Sequence, residues 1–159
     1  MPSSLSAPLR LLGRSAAGAI LLFMCVAATP LQPAPGTAPP AGLARVWFYR
    51  VFFPDDTQDM PAIAMNGQLV GYGRTGVSFY RDVPAGTYRV TVETTGIDVN
   101  QAKDITLAPG QQMALSIASD PNWETSGRRS YRRPTHYVWI EPAQIAEIHL
   151  AQSTPGSGY

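Results

Sequence analysis

The residues best equipped for chemistry in this chain are four arginines gathered around a tyrosine. In SGRRSYRRPTHYVW, residues 126 to 139, Arg128, Arg129, Arg132 and Arg133 flank Tyr131. A guanidinium offers a planar fork of donors that matches phosphate or carboxylate and stacks on rings. The segment is therefore the candidate contact for an anionic partner, with a solvated loop as its plainer alternative. The other reactive side chains form no recognisable constellation. His136 and His149 stand too far apart for a His-x-x-x-His pair, and the single cysteine, Cys25, belongs to the N-terminal segment. A transition-metal site would need carboxylates assembled by the fold. Asp55, Asp56 and Asp59 in PDDTQD lack the glycine and the closing glutamate of a calcium loop, and read as a solvated turn. No Gly-x-Ser-x-Gly elbow is present. The sequence thus leads to the expectation of no catalytic residue, no metal and no cofactor.

The address of the chain is easier to read than its chemistry. Arg10 and Arg14 precede an apolar run, Ser15 to Ala28, and small residues follow, which is the layout of a secretory signal. The run is shorter than the ~20 apolar residues that span a bilayer. Val26 and Ala28 fit the small-residue pocket of signal peptidase, so cleavage is expected after Ala28, with residues 1–28 as signal peptide. A lipoprotein signal would carry Gly, Ala or Ser before its cysteine, whereas Met24 precedes Cys25. Acylation of Cys25 is therefore the disfavoured alternative, and membrane attachment would require it or an uncleaved signal. The chain has 12 basic and 11 acidic residues; without Arg10 and Arg14 the balance is 10 against 11. A net charge near zero gives no general field for nucleic acid, and loss of Cys25 leaves no disulfide to support the fold.

Residues 29–42, TPLQPAPGTAPPAG, hold five prolines and no charge, and read as a disordered linker. Extended, it would reach about 40 Å at ~3.1 Å per residue. Residues 153–159 read as a disordered tail, leaving 43–152 as one folded domain. With only 14% charged residues, 15 prolines and 14 glycines, the chain suits turn-rich β structure. ARVWFYRVFF, residues 44 to 53, is apolar on both alternating faces, as a strand covered on both sides must be. Asn66-Gly67 between AIAM and QLVGY is a two-residue hairpin signal. Pro84-Ala85-Gly86 and Pro109-Gly110 mark further turns. Tyr88, Val90 and Val92 alternate with polar neighbours, and Met113, Leu115 and Ile117 form another inner face. A polar loop precedes the strand THYVWIE. PAQIAEIHLA fits a short helix starting at Pro142, with Ile145 and Ile148 on its apolar side, although its alternation also fits a strand.

The order of these segments carries a resemblance. A strand ending in Tyr49-Arg50, then MNGQLVG, then VSFYRDVPAGTYRVTVE, resembles the bacterial family catalogued as domain of unknown function 2846, over most of residues 44–118. The match is looser to the PEGA surface-associated β domains. The resemblance implies a small exported protein, often a lipoprotein, folded as an immunoglobulin-like or transthyretin-like sandwich with no known activity. The arginine-rich segment lies outside it.

The expectation is an all-β chain forming one antiparallel β-sandwich, with a short C-terminal helix. It would act in the periplasm or outside the cell as a non-catalytic binding or accessory module, the arginine segment touching an anionic envelope component or another envelope protein. A second reading is a lipid-tethered structural lipoprotein, and a third a hydrolase with a fold-assembled site. Trp47, Phe48, Tyr49, Phe79, Tyr80, Tyr137 and Trp139 could line a sugar-binding face, but strand positions of this kind are more often core.

Overall fold

A computed structural model describes residues 37–54, 56, 58–94 and 101–159, with the backbone alone at 121, 122, 124 and 131–133. The signal residues Val26 and Ala28, Cys25, and residues 29–36 of the expected linker lie outside the described residues.

The strands are β1 (Leu43–Tyr49), β2 (Ala62–Met65), β3 (Gln68–Tyr72), β4 (Val77–Pro84), β5 (Gly86–Val92), β6 (Ala102–Leu107), β7 (Gln112–Ser126) and β8 (Arg129–Ile140). Helix α1 (Ala143–Gln152) and a short β9 (Thr154–Pro155) follow. They form two sheets, ordered β8-β7-β1-β4-β9 and β3-β2-β5-β6. The expected sandwich with its C-terminal helix is thus present. Most ladders are antiparallel; β1 with β7 and β4 with β9 run parallel.

Inward-facing Val46, Phe48, Ile63, Val90, Ile105, Leu115, Ile117 and Val138 fill the space between the sheets. Phe48 stacks on Phe79 with centroids 5.2 Å apart. The opposite face of β1 is also covered, because Trp47 and Tyr49 pack under Ala146 and Leu150 of α1. That is why the strand is apolar on both sides. The helix begins after Pro142, whose carbonyl accepts from the Ile145 and Ala146 amides at 3.0 Å. Its buried side is Ala146 and Leu150, one turn apart, while Ile145 and Ile148 face outward.

The turns do two different jobs. Asn66 and Gly67 adopt φ of 48° and 78°, the paired positive values of a type I′ turn, and join β2 to β3 within one sheet. Pro84-Ala85-Gly86 and Pro109-Gly110 instead carry the chain from one sheet to the other, β4 to β5 and β6 to β7.

Two sequence expectations are corrected. Residues 153–159 are not a loose tail: β9 lies beside β4, with the Thr154 amide bonded to the Gly76 carbonyl and the Gly156 amide to that of Ser78, each at 2.8 Å. The far end of the expected linker is likewise held, since Arg45 donates to the Thr37 carbonyl at 3.1 Å and Pro39 is buried. Hydrogen bonds to backbone groups hold both segments, which have little apolar surface to signal it.

Candidate functional site

The arginine segment is a strand-paired arm, not the polar loop its composition suggests. Leu115 pairs with Ile140, and the ladder runs without a shift to Ser126 opposite Arg129, closed by Gly127 at φ 62° and Arg128. From Asp120–Thr135 outward the positions are Pro121–Pro134, Asn122–Arg133, Trp123–Arg132, Glu124–Tyr131 and Thr125–Ser130. At ~3.3 Å per residue this outer part is about 20 Å long. Arg128 and Arg129 are exposed at its tip, and Trp123 is 71% exposed. Because strand positions alternate between faces, 129, 131 and 133 belong to one face and 132 to the other.

A buried ionic group that the sequence did not disclose lies just past the end of β1. Arg50, only 1% exposed, donates through Nε and Nη2 to the two carboxylate oxygens of Asp56 at 2.9 and 2.7 Å, and through Nη1 to the carbonyls of Asp59 (2.7 Å) and Gly73 (3.1 Å). PDDTQD is thus no solvated turn at Asp56, whose carboxylate balances a buried cation. Nothing in the spacing reveals this, because the guanidinium's burial depends on β1 entering the middle of a sheet. Asp55 lies outside the described residues.

His136, expected as an ordinary strand residue, is 3% exposed in β8. Burial pushes its pKa down and the Arg50 charge adds to this, against Asp59, Asp56 and a backbone hydrogen bond to Glu93. The unfolded chain therefore binds a proton at a pH where the fold does not. Stability is complete above about pH 6.5, the ordinary imidazole value, and is lost as pH falls toward the depressed folded value, with a slope of at most about 1.4 kcal/mol per pH unit. Urea titrations at several pH values should give His136→Gln a shallower acid limb than the parent chain. Parallel limbs would show that His136 is not the group responsible.

A cleft of about 320 Å³ opens on the outer face of the β8-β7-β1 sheet beside α1. Register aligns Tyr49 with Ser116 and Ser116 with Trp139, so three adjacent strands contribute one row. Trp139 (52% exposed) and Phe53 (61% exposed) border the cleft, along with Val51, Ser116, Glu141 and His149. The Tyr49 hydroxyl lies 3.4 Å from His149 Nδ1. Burial, reinforced by the charge of Glu141, pushes Tyr49 up to about 12, so its phenol stays protonated at neutral pH. A serine, a histidine and carboxylates thus share one cleft, but the hydrogen bond made there by the histidine is to a phenol, and among the described residues none joins the serine to the imidazole. That is not the pairing that activates a nucleophile.

The aromatic residues divide. Trp47, Phe48, Tyr49 and Phe79 are buried, Tyr80 and Tyr137 half-buried, and Trp139 is open, with Lys103 Nζ 5.4 Å from its ring centroid. Among the described residues no group of three His, Cys, Asp or Glu is placed to hold a metal ion, and no helix is long and apolar enough to cross a membrane. No protein-family model matches the chain, and no curated protein matches it.

Proposed function

We propose that this chain is an exported, non-catalytic β-sandwich module of the cell envelope, whose β7–β8 arm contacts an anionic partner. The observation that carries the reading is the arm: a paired ribbon extending past the sandwich core, with four arginines against Asp120 and Glu124 and with Arg128 and Arg129 exposed at the tip. Its described side chains at 123 and 125–130 are all exposed, and a ribbon that buries so little there gains little stability from being long, so its length is better explained by reach toward something else. Guanidinium groups suit phosphate or carboxylate on that surface. The signal-like N-terminus and the resemblance of residues 44–118 to exported families support the location. The mass of the mature protein tests it: a soluble species beginning at Thr29 agrees, and an acylated species beginning at Cys25 would make the protein a tethered lipoprotein.

Each arginine near an anionic surface contributes about 1 kcal/mol. Since the two faces of the arm cannot meet one surface together, about two of the four count at once. Replacing Arg128, Arg129, Arg132 and Arg133 by serine should weaken sedimentation with isolated envelope fractions by about 30-fold. The salt dependence should shrink with it. An unchanged binding curve would sink the proposal.

A further inference from the structure

The cleft between Phe53 and Trp139 has features that the arm does not explain. Two aromatic side chains more than half exposed, Phe53 and Trp139, border one opening. Beside them lie groups that both donate and accept, the Ser116 hydroxyl and the His149 imidazole, and the acceptor-only carboxylate of Glu141. Val51 and His149 also border an adjoining hollow of about 260 Å³, lined in addition by Arg50, Phe52, Gly76 and Ser153, in which Phe52 is 62% exposed. We propose that the two hollows together bind a neutral oligosaccharide.

The chemistry selects that class. A pyranose ring has an apolar C–H face that packs on an aromatic plane, and hydroxyls around its rim that donate and accept in turn. Apolar walls with a few placed polar groups are the general composition of ligand sites, and about 320 Å³ falls at the lower end of their usual range. One cleft fits a single ring, and the adjoining hollow adds a second position, so an oligomer uses more of the surface than a monosaccharide. An anion would meet the carboxylates of Glu141 and Asp56, while the Arg50 guanidinium is already forked onto Asp56 and the Lys103 ammonium lies over the Trp139 ring. A compact ammonium would find an acceptor in Glu141 but would leave the hydroxyl and imidazole positions without use.

Neutral glycans including chitotriose, maltotriose and cellotriose, tested on the full mature chain by calorimetry and tryptophan fluorescence, decide the matter. Binding of at least one is expected, with Trp139→Ala and Phe53→Ala each weakening it about tenfold. Serine at Arg128 and Arg129 should leave glycan affinity unchanged, which separates this site from the arm. Phe53 lies outside the sheets, so its variant remains informative if removal of Trp139 from β8 disturbs folding. The inference is overturned if no neutral glycan binds, if binding survives at full strength in the folded variants, or if choline or inorganic phosphate binds while the glycans do not.

Discussion

Arg50→Ala is expected to destabilise the domain by about 3–5 kcal/mol, lowering its melting temperature on the order of 10–20 °C. The figure follows from what remains rather than from what is lost. Asp56, its side chain only 7% exposed, would keep a carboxylate in a low-dielectric site without the fork that now meets both oxygens. The Asp59 and Gly73 carbonyls would lose their shared donor as well. Arg50→Met with Asp56→Leu should recover much of the loss, because a buried ion pair replaced as a unit by apolar side chains is often close to neutral. Equilibrium denaturation of the two single variants and the double variant measures this. A single variant as stable as the parent chain would mean that the pair contributes nothing. The same pair ties the loop bearing Val51 and Phe53 to the end of β1, so the cleft should open when it is broken. Glycan affinity, if present, should fall in Arg50→Ala although Arg50 reaches the ligand region only at its edge.

The pair also illustrates what a linear reading can and cannot see. Strands with one buried face, such as β5 with Val90 and Val92 inside, declare themselves by alternation, and Asn66-Gly67 declares its hairpin by the backbone it requires. The arm declares neither, because its sequence has no apolar periodicity and its described side chains at 123 and 125–130 are exposed. Its only local signals are a glycine at the tip and β-favouring Trp123, Thr125 and Tyr131 scattered among polar residues. The turns at Gly86 and Gly110 have legible chemistry but an illegible destination. Whether the next strand stays in its sheet or crosses to the other is decided by partners far away in sequence, as it is for β1, which pairs with β4 and β7. The cleft is the extreme case. Tyr49, Ser116 and Trp139 become neighbours only through two ladders, and His149 joins them only when α1 settles on Trp47 and Tyr49.

Gly71→Ala should cost about 2–3 kcal/mol, although it adds one methyl to a strand residue. A Cβ at this position would stand 2.5 Å from Phe79 Cζ and 2.8 Å from the carbonyl oxygen of Gly158. Neither neighbour can give way cheaply. Phe79 is stacked on Phe48 in the core, and the Arg81 guanidinium carbon lies 4.9 Å from its ring centroid. The Gly158 oxygen accepts from the Tyr72 amide at 2.8 Å, and Arg81 Nη2 holds the preceding Ser157 carbonyl at 3.1 Å. Gly158 is itself confined, with φ +86° and no room for a side chain between Arg81 and Phe79. The methyl must therefore overpack the core or lift the terminal segment off β3 and β4. Hydrogen exchange separates these outcomes. Lifting would speed exchange at the Tyr72 and Gly156 amides, and overpacking would lower global stability while leaving those amides protected relative to it. A variant with unchanged stability and exchange would place residues 156–159 elsewhere, and the terminal segment would again be the loose tail its composition suggests.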